Sequence, residues 1–193
     1  TALGPTVRFR HDVPEDRRRA LERALAVAEH MQTTVQLDQP LDPTPFEHVL
    51  AENTPVQRTS LGLAFRFPHS VPLIANTRIL RDAADAAILH PLLAAWEPDI
   101  YSSPPLVALV VDGQAVAVCG SVRITPRAYE AGVETALPFR GRGHGKAVVA
   151  GWAKAVRALG VEPLYSAVWQ NSASRALARA IGLVPVGRDL HIT

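Results

Sequence analysis

The sequence is poor in the residues that build disulfide-linked, metal-binding and membrane-spanning proteins. Its 193 residues include one cysteine, Cys119, which excludes an internal disulfide. The seven histidines are scattered and none belongs to a cluster with metal-ligand spacing, so we expect no bound metal. The longest apolar run, Leu106–Val111, is far too short to cross a bilayer. These absences favour a soluble globular protein.

Charge of neither sign dominates. The 20 Lys and Arg residues against 18 Asp and Glu give a net charge of +2, which is too small to indicate a nucleic acid partner. With 48% hydrophobic and 20% charged residues, the composition is typical of a folded domain and argues against a disordered chain. The first ten residues lack the basic start and apolar stretch of a signal peptide, so we expect a cytoplasmic location. We expect neither a membrane nor a nucleic acid as partner and leave a homodimer open.

The first hundred residues have less regular patterning than the rest. Apolar residues at helical spacing predict a helix over residues 14–31, with proline in its first turn. Six prolines between residues 39 and 72 remove so many backbone donors that only loops or short strands are expected there. A second helix is predicted from Arg81, interrupted near Pro91. We expect residues 1–100 to be an N-terminal extension or subdomain on the substrate side.

The second half alternates strands and helices. Two β-rich runs flank Asp112-Gly113, a dipeptide suited to a tight hairpin turn. A third strand, a glycine-rich turn and a helix ending at Gly160 follow, and then come a strand, a helix ending at Gly182 and a final strand. The apolar faces are predicted to be Val148, Trp152, Ala155, Val156 and Leu159 in the first of these helices, and Ala173, Ala176, Leu177 and Ala180 in the second. The order predicts a mixed α/β (α+β) fold whose sheet is mostly antiparallel and flanked by helices.

Three glycines and three cationic residues stand together in residues 140–146, just before the first of these helices. The first N–H groups of a helix have no intrahelical partner, and the helix dipole places partial positive charge there. A glycine-rich turn therefore lets an anion approach several donors at once. The segment predicts a phosphate site; the alternative is a tight turn with solvated arginines.

Two common phosphate loops do not fit this segment. The dinucleotide pattern G-x-G-x-x-G would need its third glycine at Lys146 or at Val148. The Walker pattern would need glycine at Arg140 and a hydroxyl at Ala147.

The segment Arg140–Gly145, RGRGHG, resembles the acyl-CoA loop of the GNAT superfamily of N-acyltransferases, Q/R-x-x-G-x-G/A. A second motif agrees with it. Asn171, Ser174, Gly182 and Leu183 match the family signature N-x-x-A-x-x-x-Y-x-x-x-G-F, with Ser for Ala and Leu for Phe. The resemblance covers residues 106–192 and implies a GNAT-like fold, with residues 101–193 as its acyl-CoA-binding core.

The resemblance implies an N-acetyltransferase that moves an acetyl group from acetyl-CoA to an amine, on a small molecule or a protein, by direct transfer. In the family, the loop amides hold the CoA pyrophosphate and the preceding strand pairs with the pantetheine arm. By this resemblance, the cofactor-binding residues are Thr135, Ala136, Leu137, Arg140, Gly141, Arg142, Gly143, His144, Gly145, Lys146, Asn171 and Ser174.

Glu134 is the predicted catalytic residue. It lies in the strand before the loop, where relatives often present a general base to the amine. The alternative is a solvated carboxylate or one paired with Arg123 on a neighbouring strand. Glu130 is a weaker candidate for the same role.

The proton donor for the leaving thiolate is where this sequence departs from the family. The family's tyrosine falls at Ala178, which has no proton to give. Ser174, His144, Tyr165 or a water molecule could replace it. The missing tyrosine also leaves open a catalytically silent acyl-CoA-binding module, although the presence of Glu134 favours the enzyme. The sequence does not identify the acceptor amine.

Overall fold

The computed structural model describes residues 9, 11–30, 39–52, 55–71 and 76–193. The α-helices are α1 Glu15–His30, α2 Thr44–Ala51, α3 Ala83–Ala86, α4 Asp99–Ser102, α5 His144–Ala158 and α6 Ser172–Ile181. The strands are β1 Thr59–Arg66, β2 Thr77–Leu80, β3 Leu106–Val111, β4 Gln114–Ile124, β5 Ala128–Thr135, β6 Glu162–Val168 and β7 Val184–Ile192. Short 3-10 helices span Pro91–Trp96 and Leu137–Phe139.

The chain divides into two compact units. The first contains residues 1–64, 167–171 and 185–193, and the second contains residues 65–166 and 172–184. The boundary at residue 100 that the sequence suggests for the acyl-CoA-binding core stays a prediction.

The second unit contains a mixed sheet in the order β2-β3-β4-β5-β6. Strands β2 to β5 are antiparallel neighbours, and β6 runs parallel to β5. The turn between β3 and β4 is formed by Asp112 and Gly113 with φ of 49° and 78°, as the sequence predicts for a tight hairpin. The predicted fold class, a mostly antiparallel sheet flanked by helices, is confirmed.

Helix α5 covers one face of this sheet through contacts with β3, β4 and β5. The Nε1 atom of Trp152 donates a hydrogen bond to Ser121 Oγ on β4, at 3.1 Å. The predicted apolar face holds at Val148, Trp152 and Val156, which are fully buried, but fails at Leu159, which lies one residue past the helix and is 58% exposed. The helix therefore anchors the glycine-rich loop at its N-terminus to the centre of the sheet.

The opposite face of the sheet carries a second apolar cluster. Its buried members are Leu80, Leu93, Ile100, Leu106, Ala108, Ala115, Val118 and Ala136. The half-buried side chains of Trp96 and Phe139 pack against it. The predicted helix from Arg81 is interrupted, as expected, because α3 ends at Ala86 and a 3-10 helix begins at Pro91.

In the first unit, α1 begins and ends within one residue of its predicted bounds and contacts α2. The expectation of only loops or short strands at residues 39–72 was wrong at α2, whereas β1 is a strand of eight residues. Pro45 lies in the first turn of α2, where a missing N–H costs nothing, and β1 lies in the proline-free stretch between Pro55 and Pro68.

The inward face predicted for α6 was wrong at three of its four positions. Ala173, Ala176 and Ala180 are exposed and Leu177 is half-buried, whereas the buried residues are Ala178 and Ile181. The apolar pattern fits either choice, because alanine occupies both faces of this helix. On the observed face, Ser174 is hydrogen-bonded to Tyr165 of β6.

No helix among the described residues combines the length and apolarity needed to cross a membrane.

Cys119 lies fully buried on β4, and burial raises the pKa of its thiol well above the usual value. Above a pH of about 8.5 the unfolded chain loses this proton and the folded chain retains it. We therefore expect the free energy of unfolding to fall by about 1.4 kcal/mol per pH unit from this residue alone. Urea unfolding between pH 8 and 10 should show a steeper fall in the parent than in Cys119→Ala, and the difference between the two slopes should approach this value. Parallel slopes would contradict the prediction.

Candidate functional site

The parallel pairing of β5 with β6 stops before β5 ends. It runs from Ala128 paired with Glu162 to Ala131 paired with Tyr165, while β5 continues to Thr135. On its other side β5 stays paired with β4 as far as Thr135. Within the second unit, residues 132–135 therefore present one unpaired backbone edge.

The donors and acceptors on this open edge follow from the strand's alternation. The N–H of Ala136 donates to the Val116 carbonyl at 2.9 Å, so alternate residues of β5 point their backbone groups toward β4. Val133 and Thr135 point theirs the other way, toward the open edge. The Thr135 carbonyl accepts from Arg140 Nε at 3.0 Å. The backbone of Val133 and the N–H of Thr135 are left for an extended ligand.

The glycine-rich loop begins at Arg140, directly after the 3-10 helix Leu137–Phe139, and leads into α5. Gly141 and Gly143 have φ of 76° and 79°, a region that only glycine adopts easily, and a Cβ at either would meet no atom within 4 Å. The backbone N–H groups of residues 141–146 make no hydrogen bond to any other described residue. Open space in front of several unpaired donors at a helix N-terminus fits a phosphate group.

The predicted cationic residues lie around this loop. Arg140 is held by its bond to Thr135, and the Arg142 guanidinium lies over the Phe139 ring, 5.6 Å from its centroid. Lys146 is half-buried in the first turn of α5. The loop thus combines fixed N–H donors with two tethered guanidinium groups, and among the described residues no cluster of His, Cys, Asp and Glu could hold a metal.

Glu134 is half-buried on β5, in the stretch that lies beyond the end of the β6 pairing. Its Oε2 accepts a hydrogen bond from Trp96 Nε1 at 2.8 Å. The alternative pairing with Arg123 does not occur. Arg123 lies 3.1 Å from Glu130, which also accepts from Ser166 Oγ. Glu130 is therefore already engaged, whereas within the described part of the chain Glu134 has a neutral partner on only one oxygen.

A model of the Acetyltransferase (GNAT) family matches residues 76–183, more than half of the chain. The chain belongs to the GNAT acetyltransferase family. No curated protein matches it significantly.

Solved structures with the GNAT fold resemble the chain at low sequence identity. An acetyltransferase of the GNAT family from Novosphingobium aromaticivorans is 21% identical with a TM-score of 0.59, and the match covers 70% of this chain and 64% of that protein. A GCN5-related N-acetyltransferase-like protein from Streptococcus suis is 18% identical with a TM-score of 0.56, covering 77% and 67%. An acetyltransferase from the GNAT family of Colwellia psychrerythraea is 13% identical with a TM-score of 0.55, covering 93% and 74%. At these identities the likeness shows the fold alone.

The GNAT signature has a tyrosine as proton donor to the leaving thiolate, and two hydroxyl groups and one imidazole are candidates to replace it here. Ala178, at the tyrosine position, is fully buried. The Tyr165 hydroxyl lies 2.6 Å from Ser174 Oγ on α6. Burial raises the pKa of Tyr165 further above its usual range, in which a phenol is already protonated at neutral pH. His144 is half-buried as the first residue of α5. The structure thus joins Tyr165 and Ser174 into one pair.

The remaining predicted binding residues occupy different environments. A Cβ at Gly145 would lie 3.6 Å from Thr135 Oγ1, so this strand end and the loop are in contact. Ala136 is buried and Leu137 is exposed. Asn171 is exposed in the first unit, where its N–H donates to the Val168 carbonyl at 3.0 Å.

Trp96, the hydrogen-bond partner of Glu134, was not predicted from the sequence. A signal was present in the two isolated glycines within β-rich runs, Gly120 and Gly132. Such glycines often mark a close approach by another group. Nothing in the pattern indicated which side chain approaches them.

Proposed function

We propose that the chain is an N-acetyltransferase that moves an acetyl group from acetyl-CoA to an amine by direct transfer, with Glu134 as general base. One observation carries the proposal. Glu134 lies on the four residues of β5 that continue past the β6 pairing, directly before a loop whose N–H groups are unpaired among the described residues. A carboxylate, an open strand edge and a phosphate-type loop therefore follow one another within 13 residues, 134–146.

Acetyl-CoA supplies an acyl thioester that is already activated toward an amine. In this proposal the N–H groups of residues 141–146 hold the pyrophosphate, and the Arg142 guanidinium adds charge beside them. The open edge of β5, at Val133 and Thr135, pairs with the amide groups of the pantetheine arm. Ser174 is the further residue of the second unit that the family signature assigns to the cofactor, and the assignment of Asn171 stays a prediction.

In this proposal, residues of the chain carry out two proton transfers, one from the acceptor amine and one to the leaving thiolate. The Glu134 carboxylate accepts the proton that the acceptor amine loses as its nitrogen bonds to the acyl carbon. The Tyr165–Ser174 hydroxyl pair is the proposed donor to the departing sulfur, because its two hydroxyls are hydrogen-bonded to each other and both carry a proton at neutral pH. Cys119 has no part in direct transfer, since its thiol is fully buried.

A catalytically silent acyl-CoA-binding module is the second candidate, and Ala178 at the tyrosine position favours it. We expect CoA release above the uncatalysed background when acetyl-CoA is mixed with a panel of amines and peptides, because Glu134 can take the proton from an acceptor amine that is protonated in solution. Thiol detection gives the rate. Saturable acetyl-CoA binding with no release across the panel would instead support the silent module. Cytoplasm stays the proposed location.

A further inference from the structure

Trp96 occupies a slot in the sheet that two glycines create. Gly120 on β4 and Gly132 on β5 are paired directly across the two strands. A Cβ at Gly120 would lie 2.9 Å from both Trp96 Cζ3 and Leu106 Cδ1. A Cβ at Gly132 would lie 3.0 Å from Trp96 Cη2 and closer still to Val122 Cγ1. Real Cβ atoms essentially never lie closer than 3.0 Å to another heavy atom, so a side chain at either glycine would crowd the indole and its neighbours.

The backbone of Trp96 is also held in place. It is the last residue of the 3-10 helix Pro91–Trp96, and Leu93 of that helix is fully buried in the apolar cluster on this face. The ring is therefore fixed at both ends, by its own helix and by the slot. A ring with so little freedom can direct its N–H to one place.

That place is the carboxylate of Glu134. Trp96 Nε1 donates to Oε2 at 2.8 Å, while Oε1 has no hydrogen-bond partner among the residues that the structure describes. A glutamate side chain otherwise has several rotatable bonds, and a general base must lie within hydrogen-bond reach of the proton that it takes.

We propose that Trp96 is a positioning residue for the acyl-transfer reaction: its indole N–H immobilises Oε2 of Glu134 and leaves Oε1 to take the proton of the acceptor amine. The inference rests on the proposed function, because it requires Glu134 to act as the base. It goes further by assigning a distinct role to each carboxylate oxygen and to the Gly120–Gly132 slot.

Trp96→Phe tests the inference, because it keeps an aromatic ring in the slot and removes only the N–H and some ring area. We expect kcat to fall roughly 10-fold, the size expected for one hydrogen bond to a charged group, while KM for acetyl-CoA stays within twofold. Trp152→Phe is the matched control. It removes the indole bond to Ser121 on the other face and should lower Tm without changing kcat.

A double-mutant cycle separates this inference from the proposed function. If Trp96 acts through Glu134, Trp96→Phe should slow the parent but not Glu134→Gln. An equal loss in both backgrounds would overturn the inference, as would a normal kcat in Trp96→Phe beside a slow Glu134→Gln. An unchanged rate in Glu134→Gln would overturn the assignment of Glu134 as the general base, and the inference about Trp96 would fall with it.

Gly120→Ala tests the slot while keeping Trp96 intact. The new Cβ should displace the indole, so we expect the same loss of kcat with KM for acetyl-CoA unchanged. Gly151→Ala in α5 is its control, since a Cβ there would be equally close, 3.0 Å from Thr77 Oγ1. It should cost stability and leave kcat unchanged. A Gly120→Ala protein that folds by its Tm and keeps the parent's kcat would contradict the proposal.

Discussion

Glu134→Gln should lower kcat by about 10²–10⁴-fold, the range expected for loss of a general base, and leave the Kd for acetyl-CoA little changed. Glutamine keeps the shape of the side chain and can still accept from Trp96 Nε1 through its amide oxygen. It cannot take a proton from an ammonium group. Steady-state rates with the best acceptor from the panel, together with calorimetric titration of CoA, measure both quantities.

The loss should shrink as pH rises, because an acceptor amine that is already deprotonated in solution needs less help from the base. Glu130→Gln is the matched control. Glu130 lies on the same face of β5 but is engaged by Arg123 and Ser166, so its variant should keep the parent's rate and pH profile. If Glu134→Gln kept the parent's rate, Glu134 would be a structural carboxylate. A variant that also lost CoA binding would show that Glu134 supports the open strand edge.

Most elements of the second unit could be predicted from local pattern. The β3–β4 hairpin follows from Asp112-Gly113, whose positive φ angles few other dipeptides accept. Helix α5 follows from apolar spacing and from Gly160, which has φ of 76° just past its end. The hairpin and the helix are determined by residues that are close together in the sequence, so the local sequence pattern is enough to predict them.

Other features depend on contacts between distant segments. The inward face of α6 could not be chosen from its letters, because alanine stands on both sides and the hydrogen bond between Ser174 and Tyr165 lies on the observed face. Helix α2 was not predicted, because the number of prolines in residues 39–72 was considered and their positions relative to a helix start were not. Pro45 is harmless in the first turn of α2.

The candidate site was predictable to a similar degree. The loop and Glu134 lie close together in sequence, and a family motif names the loop. The hydrogen bond from Trp96 to Glu134 spans 38 residues, and no local rule links the two positions. The acceptor amine could not be predicted from the sequence. The residues that bind an acceptor come together only in the folded protein and have no characteristic spacing in the sequence.

The glycine-rich loop gives the second large effect: Gly143→Asp should abolish most of the stabilisation that CoA confers. At a CoA concentration 100 times its Kd, the parent should gain about 2.7 kcal/mol by mass action. A variant whose Kd is raised 100-fold should gain only about 0.4 kcal/mol at the same concentration. Both figures can be read from unfolding curves recorded with and without CoA.

The expected loss has two parts that a small set of variants separates. Gly143 has φ of 79°, so any side chain there strains the backbone, and Asp also brings an anion to the N–H groups where the pyrophosphate should bind. Gly143→Asn has the same shape without the charge and should bind CoA more tightly than Gly143→Asp. Gly160→Asp has the same positive φ at the far end of α5 and open space around its Cβ, so it should lower Tm and leave the gain from CoA intact. If Gly143→Asp and Gly160→Asp lost the gain equally, backbone strain in α5 would explain the effect, and the loop would no longer be assigned to the pyrophosphate.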